Sequence, residues 1–222
     1  MTNGSCNAVN DLRADPDLVA AWVRGRSIAR SQPEPTSYHD GWCAEIGSDT
    51  ELRRYVFAGA SDTVAKLART IDRPRIFLKA CIEDRALAAL LPPQWRIGDP
   101  SWMMTGPAAI AVPHLPPGYT IIVRRGTGMI EVRIETADGL LAASGYGAET
   151  DGAFVYDRIV TQPGHQRRGL GGLVMGTLAA ERRSPASENV LVATDQGRAL
   201  YLALGWKDHA SYASAVIPDP AA

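Results

Sequence analysis

Residues 161–181 read TQPGHQRRGLGGLVMGTLAAE. A β-rich run, 154–160, leads into them. Pro163 and Gly164 mark a turn, and Leu170, Leu173, Val174 and Leu178 then fall at i, i+3, i+4 and i+8, one face of a helix. The stretch predicts strand, tight loop, helix N-terminus. Such an N-terminus carries unpaired backbone N–H groups and a partial positive charge. Gly169 and Gly171 have no Cβ, so a ligand can approach the backbone, and Arg167 and Arg168 add two cations. Together these make a site for a phosphate or pyrophosphate.

Two phosphate motifs do not fit. A P-loop needs G-x-x-x-x-G-K-[ST], and no Lys-Ser or Lys-Thr follows these glycines. A dinucleotide fingerprint needs G-x-G-x-x-G, and Val174 stands where the third glycine belongs. The pattern [Q/R]-x-x-G-x-[G/A] does fit, as Gln166-x-x-Gly169-x-Gly171, and resembles the acyl-CoA pyrophosphate loop of the GNAT superfamily of N-acyltransferases. Downstream, the apolar run 189–194 precedes DQGRALYLALGW (195–206). The pattern A-T-x-x-G-x-x-L-Y-x-x-L-G-[FW] resembles the second signature of that superfamily, in the right order and at a suitable separation. The resemblance spans about 130–217.

Composition is that of an ordinary globular chain: 222 residues, 45% hydrophobic and 21% charged. A net charge of −1 gives no electrostatic case for nucleic acid or an anionic membrane. Cys6, Cys43 and Cys81 are widely spaced, without a C-x-x-C, and read as reduced thiols of a cytoplasmic protein. His39 and Cys43 are two candidate metal ligands, too few for a site, so no metal is expected. No signal peptide is recognised at the start, and no apolar run approaches the ~18 residues of a membrane span.

Taken in order, residues 1–14 are polar and expected to fray. Asp15-Pro16 reads as an N-cap with Pro at the first helical position, followed by a face of Leu18, Ala21, Trp22, Gly25, Ile28 and Ala29. Residues 31–40 read as a loop, 42–46 and 52–57 as strands, 61–71 as a helix capped by Ser61, 76–81 as a strand and 83–91 as a helix stopped by Pro92-Pro93. Pro107, Pro113, Pro116 and Pro117 mark a connector, which places a boundary near residue 112, between regions 1–112 and 113–222. Beyond it 119–123, 129–135, 140–147 and 154–161 read as strands, with Asp138-Gly139 a hairpin turn. The first region repeats the strand–helix–strand–helix order of the second, and Arg85-Ala86-Leu87 echoes Arg198-Ala199-Leu200. It reads as a degenerate copy, with Gly59-Ala60-Ser61 in place of the glutamine–glycine loop and Ala88 at the place of Tyr201. Chance similarity of short α/β units is the other reading.

The resemblance implies an α/β (α+β) fold: a mixed, mostly antiparallel sheet flanked by helices. It implies acetyl-CoA as acyl donor and a primary amine, here a small molecule, as acceptor, attacking the thioester directly in a ternary complex. The backbone of Ile159, Val160 and Thr161 is then expected to pair with the pantetheine arm like an added strand. Gln166, Arg167, Arg168, Gly169, Leu170 and Gly171 are expected to hold the pyrophosphate, in a slot where the strands around 156–160 and 190–193 splay apart. Tyr201 matches the tyrosine whose hydroxyl lies near the CoA sulfur and is the candidate general acid. Thr194 falls where the family often has an Asn. For a general base, Asp157 is the leading candidate, Glu135, Glu149 and His165 follow, and water is an alternative. One departure is plain: the family has two helices between its first two strands, and here only residues 124–128 separate two strands. Helices from the first region are the candidates to replace that wall. A non-catalytic acyl-CoA binder or sensor is the competing reading. A nucleotide-phosphate binder is a third, disfavoured by the missing Gly-Lys-Ser/Thr. Trp22, Tyr38, Trp42 and Trp102 read either as core or as an aromatic acceptor pocket.

Overall fold

The computed structural model describes residues 14–219; the fraying expected for 1–14 and the thiol Cys6 lie outside them, save Ala14. Ala14 is buried, and its amide donates to Ala58 O at 3.1 Å, so it is packed, not frayed. α1 (Pro16–Ala29) follows, its first turn closed by Asp15, whose Oδ1 accepts from the Asp17 amide at 2.9 Å.

The first region then runs β1 (Thr36–Tyr38), β2 (Gly41–Glu45), β3 (Arg53–Phe57), α2 (Asp62–Thr70), β4 (Ile76–Ala80), α3 (Asp84–Leu90), β5 (Arg96–Ile97) and β6 (Ser101–Thr105). The segment 106–118 has no helix or strand. After it come β7 (Tyr119–Arg125), β8 (Met129–Thr136), β9 (Leu141–Thr150), β10 (Ala153–Thr161), α4 (Leu170–Ala180), β11 (Glu188–Thr194), α5 (Asp195–Ala203), β12 (Lys207–Ser211) and β13 (Ala213–Val216). Gly139 takes φ +82° in the turn between β8 and β9, a conformation that glycine adopts without strain. Part of the expected loop 31–40 is instead the short edge strand β1, paired with β2 across a turn in which His39 has φ 51°.

The strands form two sheets, ordered β1-β2-β3-β4-β13-β5 and β12-β6-β11-β10-β9-β8-β7. Among the described residues only β3–β4 and β10–β11 are parallel, each bridged by a helix (α2 and α4); the remaining pairs are antiparallel. Each sheet borrows one strand from across the connector. β6 lies between β11 and β12, with Val190 opposite Thr105 and Thr194 opposite Ser101. β13 lies between β4 and β5, with Ala213 opposite Ala80. The order β3-β4-β13-β5 thus repeats the order β10-β11-β6-β12.

Three apolar clusters hold this arrangement. α2 and α3 cover the first sheet through Val64, Leu67, Ala68 and Leu87. α4 and α5 cover the second through Leu170, Leu173, Val174, Leu178 and Tyr201. α1 lies between the sheets: Val19, Trp22 and Val23 meet Val56 and Cys81 on one side and Val155 and Val190 on the other. The helix sits directly on β10, since a Cβ at Gly25 would come 2.4 Å from Val155 Cγ2. α1 therefore covers the face of the second sheet opposite α4. No helix among the described residues is long and apolar enough to cross a membrane.

Candidate functional site

β10 and β11 pair only over three residues, Ala153–Val155 against Glu188–Val190. Beyond them β11 continues along β6 to Thr194, while β10 bends away through a bulge between Asp157 and Val160, where Arg158 takes φ 52°. The bend turns Ile159 toward α4: a Cβ at Gly145 would lie 2.5 Å from Ile159 Cδ1 and 2.6 Å from Val174 Cγ1, so glycine is what makes room there. Val160 is left 46% exposed on the opened edge. A slot opens between the end of β10 and β11, and the backbone N–H and C=O groups along its β10 edge lack a sheet partner on that side. In the first sheet the equivalent pair does not part. β3 and β4 stay in register over five residues, from Arg53 opposite Ile76 to Phe57 opposite Ala80.

The loop predicted at 166–171 closes one end of this slot. Arg167 (φ 62°) and Gly169 (φ 78°) both take left-handed backbone, and Gly169 is the N-cap of α4 with no side chain bonded to the helix start. Alternation of this kind turns successive amides toward one point, a concave anion site at a positive helix end. The space beside Gly169 is open, with no atom within 4 Å of a Cβ built there. A Cβ built at Gly171 would lie 3.6 Å from Thr161 Oγ1 and 3.2 Å from Leu200 Cδ2, which places the helix start at the slot wall. Gln166 Nε2 donates to Thr161 O at 3.5 Å. Arg168 Nη1 donates to Tyr119 Oη at 2.9 Å, and that oxygen lies 2.8 Å from His165 Nδ1. Arg167 makes no hydrogen bond or ion pair with the described residues and is exposed. α2 starts differently: Ser61 Oγ accepts from the Val64 amide at 3.4 Å, filling the position that α4 leaves open.

Tyr201 stands on α5 at the other side of the slot. It is 7% exposed, its ring centroid is 5.9 Å from that of Trp206, and its Cε2 lies 3.2 Å from a Cβ built at Gly197. Burial, helped by the Asp157 charge, pushes its phenol up to about 12. It is therefore protonated at neutral pH and able to donate. Thr194 is the N-cap of α5, its Oγ1 accepting from the Gly197 amide at 3.3 Å. The hydroxyl proton of Thr194 remains available to another acceptor.

The role of general base expected for Asp157 does not fit its placement. Its two oxygens accept from Arg30, Nε to Oδ2 at 2.6 Å and Nη2 to Oδ1 at 3.0 Å, and Arg158 Nε lies 3.3 Å from Oδ2. Both oxygens of this carboxylate are thus engaged by guanidinium groups, and neither is left free to face the slot. The lesser candidates are also engaged. Glu135 accepts from Arg133 at 2.9 Å, Glu149 binds the amides of Arg183 and Ser184 and the Ser187 hydroxyl, and His165 is tied to Tyr119. Sequence reasoning missed Arg30 and Tyr119, since nothing local marks the residue that caps one helix or the first residue of one strand as the partner of a distant strand or loop. The four aromatic residues do not gather. Trp22 is core against Tyr212, Tyr38 meets Tyr55 edge-on at the edge of the first sheet, Trp42 packs on the central cluster, and Trp102 lies under Arg198 in the second sheet. Among the described residues no group of three or more His, Cys, Asp or Glu could hold a metal ion.

No protein-family model and no curated protein matches the chain. Solved structures do. A GCN5-related N-acetyltransferase from Kribbella flavida matches with a TM-score of 0.64 at 18% identity, over 92% of this chain and 96% of the other. One from Sphaerobacter thermophilus matches at 0.55 and 12% identity, over 82% and 78%. A tandem GNAT protein from the clavulanic acid biosynthesis pathway matches at 0.53 and 14% identity, over 97% of each chain. At these identities the likeness is one of fold: the chain has the GNAT fold, along nearly its whole length.

Proposed function

We propose that this chain is an acyl-CoA-dependent N-acyltransferase of the cytoplasm that moves an acetyl group from acetyl-CoA to the primary amine of a small molecule. The observation that carries the reading is the parting of β10 from β11 beside the uncapped, glycine-opened start of α4. A long amide-bearing arm ending in a diphosphate fits that pair of features. The unpaired edge at Ile159, Val160 and Thr161 takes the arm's amides, and the amides from Arg168 to Gly171 take the diphosphate.

In the chemical step the neutral amine attacks the thioester carbonyl, a C–N bond forms, and the C–S bond breaks. The amine loses one proton and the sulfur gains one. Near pH 7 only about one alkyl amine in a thousand or fewer is neutral, given a pKa near 10.4, so a proton acceptor is needed. With Asp157 held by Arg30, water at the slot mouth takes that proton. Tyr201, kept protonated by its burial, supplies the proton to the departing thiolate. The first sheet, with its closed β3–β4 pair and its serine-capped α2, supports structure and the wall around α1, not a second donor site.

The test is thermal unfolding with acetyl-CoA, free CoA or ATP. At a hundredfold excess over Kd, binding stabilises the native state by about 2.7 kcal/mol. A shift with both CoA species and none with ATP supports the donor site; CoA release with added amines then separates an enzyme from a mere binder. No shift with either CoA species removes the reading.

A further inference from the structure

Arg167 carries a side chain in left-handed backbone, φ 62°, inside the loop that closes the slot. Such a conformation persists only where the surroundings fix it. At the start of α2 the hydroxyl of Ser61 does the fixing. α4 has no capping side chain, so its loop must be held from elsewhere. Gln166 contributes one long hydrogen bond, 3.5 Å to Thr161 O. The shorter bond, 2.9 Å, runs out of the loop from Arg168 Nη1 to Tyr119 Oη.

Tyr119 is the first residue of β7, the strand at the outer edge of the second sheet. Its ring packs against the cluster that holds Leu170 and Leu173 of α4, and it meets the His165 ring edge-on with centroids 5.7 Å apart. A guanidinium can only donate, so the phenol oxygen accepts from Arg168. The phenol's own proton then goes to His165 Nδ1, 2.8 Å away. The three side chains form one directed chain, from Arg168 to Tyr119 to His165. His165 and Arg168 stand on either side of Arg167, so a single phenol ties the loop before and after its left-handed residue. Just upstream of Tyr119, Pro113 Cγ lies 3.5 Å from a Cβ built at Gly172, in the first turn of α4. The end of the connector thus meets both the loop and the helix start from outside.

This fastening separates the two arginines that the sequence offers as phosphate cations. Arg168 is engaged by Tyr119. Nothing among the described residues bonds the Arg167 side chain. The Arg168 bond is exposed, and water can replace such a bond with little loss of stability. Its effect is on where the loop's amides point. We infer that Tyr119 is a positioning residue for the acyl donor. It holds Arg168 and His165 so that the amides from Arg168 to Gly171 converge, and it leaves Arg167 as the loop side chain that meets the donor's phosphate charge. The inference rests on the acyltransferase reading and deepens it, since it assigns donor affinity to a residue outside the loop motif.

The experiment is calorimetric titration of the full chain with CoA at low and high salt, with the ligand-free unfolding midpoint recorded for each variant. Tyr119→Phe keeps the packed ring and removes both hydrogen bonds. It should raise the Kd for CoA at least about tenfold, the order expected when hydrogen bonds to a charged group are lost, with the ligand-free midpoint close to the parent's. Arg168→Met, at an exposed position, should weaken CoA to a similar extent, and the double variant no further, because both act through one contact. Arg168→Lys can still donate to the phenol and should recover most of the affinity, a rescue that a general loss of structure would not show. Arg167→Gln should weaken CoA independently of Tyr119→Phe and flatten its salt dependence. A Tyr119→Phe variant that binds CoA as the parent does overturns the inference. So do losses that multiply in the double variant, or an Arg167→Gln variant with the parent's salt dependence. In each of those cases the parent still binds CoA, and the donor reading stands. A parent that does not bind CoA removes the acyltransferase reading, and this inference with it.

Discussion

Arg30, the C-cap residue of α1, holds Asp157 of β10 with two hydrogen bonds, Nε–Oδ2 at 2.6 Å and Nη2–Oδ1 at 3.0 Å. The pair joins the helix between the sheets to the strand that opens the slot. It sits at the bulge, next to Arg158 with its left-handed backbone. The carboxylate is 12% exposed and the guanidinium 28%, so water screens the pair only in part. Asp157→Asn leaves a partly buried cation with a neutral partner. We expect a loss of about 1–3 kcal/mol in unfolding free energy, the range for hydrogen bonds to charged groups. Turnover per folded molecule should fall by less than about tenfold, since Asp157 positions the slot and does not take the proton. A loss of 10³-fold or more, with stability intact, would restore Asp157 as the base.

Tyr201→Phe removes one hydroxyl from a packed ring and leaves the contact with Trp206 in place. Turnover should drop by about 10²–10⁴, the usual contribution of a general acid, with CoA affinity within a few-fold of the parent. Because the phenol lies at about 12, it stays protonated through the accessible alkaline range. The rate should therefore rise with pH as the amine loses its proton, with no descending limb from Tyr201 below about pH 10. Steady-state rates from pH 6 to 10, for both proteins, check this.

Gly169 has φ 78° and open space around it, so alanine there meets no clash, only backbone strain of roughly 1–2 kcal/mol. Gly139, at φ 82° in the turn after β8, has the same properties away from the slot. Both alanine variants should lose similar stability. Only Gly169→Ala should weaken CoA, by at least about tenfold, because a relaxed loop no longer aims its amides together. Calorimetric titration with CoA separates the two; equal affinities would mean that the loop geometry does not bind the diphosphate.

These effects divide by how far apart the contributing residues lie in the chain. Gln166, Gly169, Gly171 and Tyr201 were legible because each belongs to a short motif whose spacing carries its geometry. The hairpin of β8 and β9 was legible for the same reason, alternation around Asp138-Gly139. Arg30 with Asp157, and Tyr119 with Arg168, were not, because each pair joins elements whose approach depends on packing that no local pattern encodes. β6 and β13 are the extreme case. Ser101–Thr105 and Ala213–Val216 are short and unremarkable as strands, and nothing in either says that its partners lie across the connector.

Lys79 gives a pH test. Burial lowers its folded-state pKa to about 8, below the ~10.4 of an exposed lysine. Between those values the unfolded chain binds more protons than the folded one, so this group makes stability rise with pH across that window. Cys81 works the other way, its thiol pushed up to about 12 by burial, so the parent's curve alone does not isolate Lys79. The comparison with Lys79→Met does. The variant should be more stable than the parent at pH 7, and its advantage should shrink as pH rises from about 8 to 10. A constant difference across that range, from urea unfolding at each pH, would mean that Lys79 titrates normally.

The exchanged strands make the strongest claim on folding. A fragment of residues 113–222 keeps the loop at 166–171 and Tyr201 but lacks β6, so β11 and β12 lose the strand that lies between them. It also lacks α1, leaving Val155 and Val190 uncovered on the opposite face. At roughly 1.5–3 kcal/mol for each large apolar side chain returned to water, a few such losses exceed the total stability of an ordinary domain. The fragment 1–112 is damaged in the same manner, since β13 is missing from between β4 and β5. The connector adds to the tie: it runs over α4 so closely that a Cβ at Gly176 would come 2.9 Å from Ala111 O. Expressed alone, neither fragment should show a cooperative unfolding transition or bind CoA. Co-expressed, the two should assemble, because the exchange needs only that β6 and β13 reach their sheets, and CoA binding should return. A lone 113–222 fragment that unfolds cooperatively and binds CoA would show that the borrowed strand is dispensable, and that the second sheet can close without it.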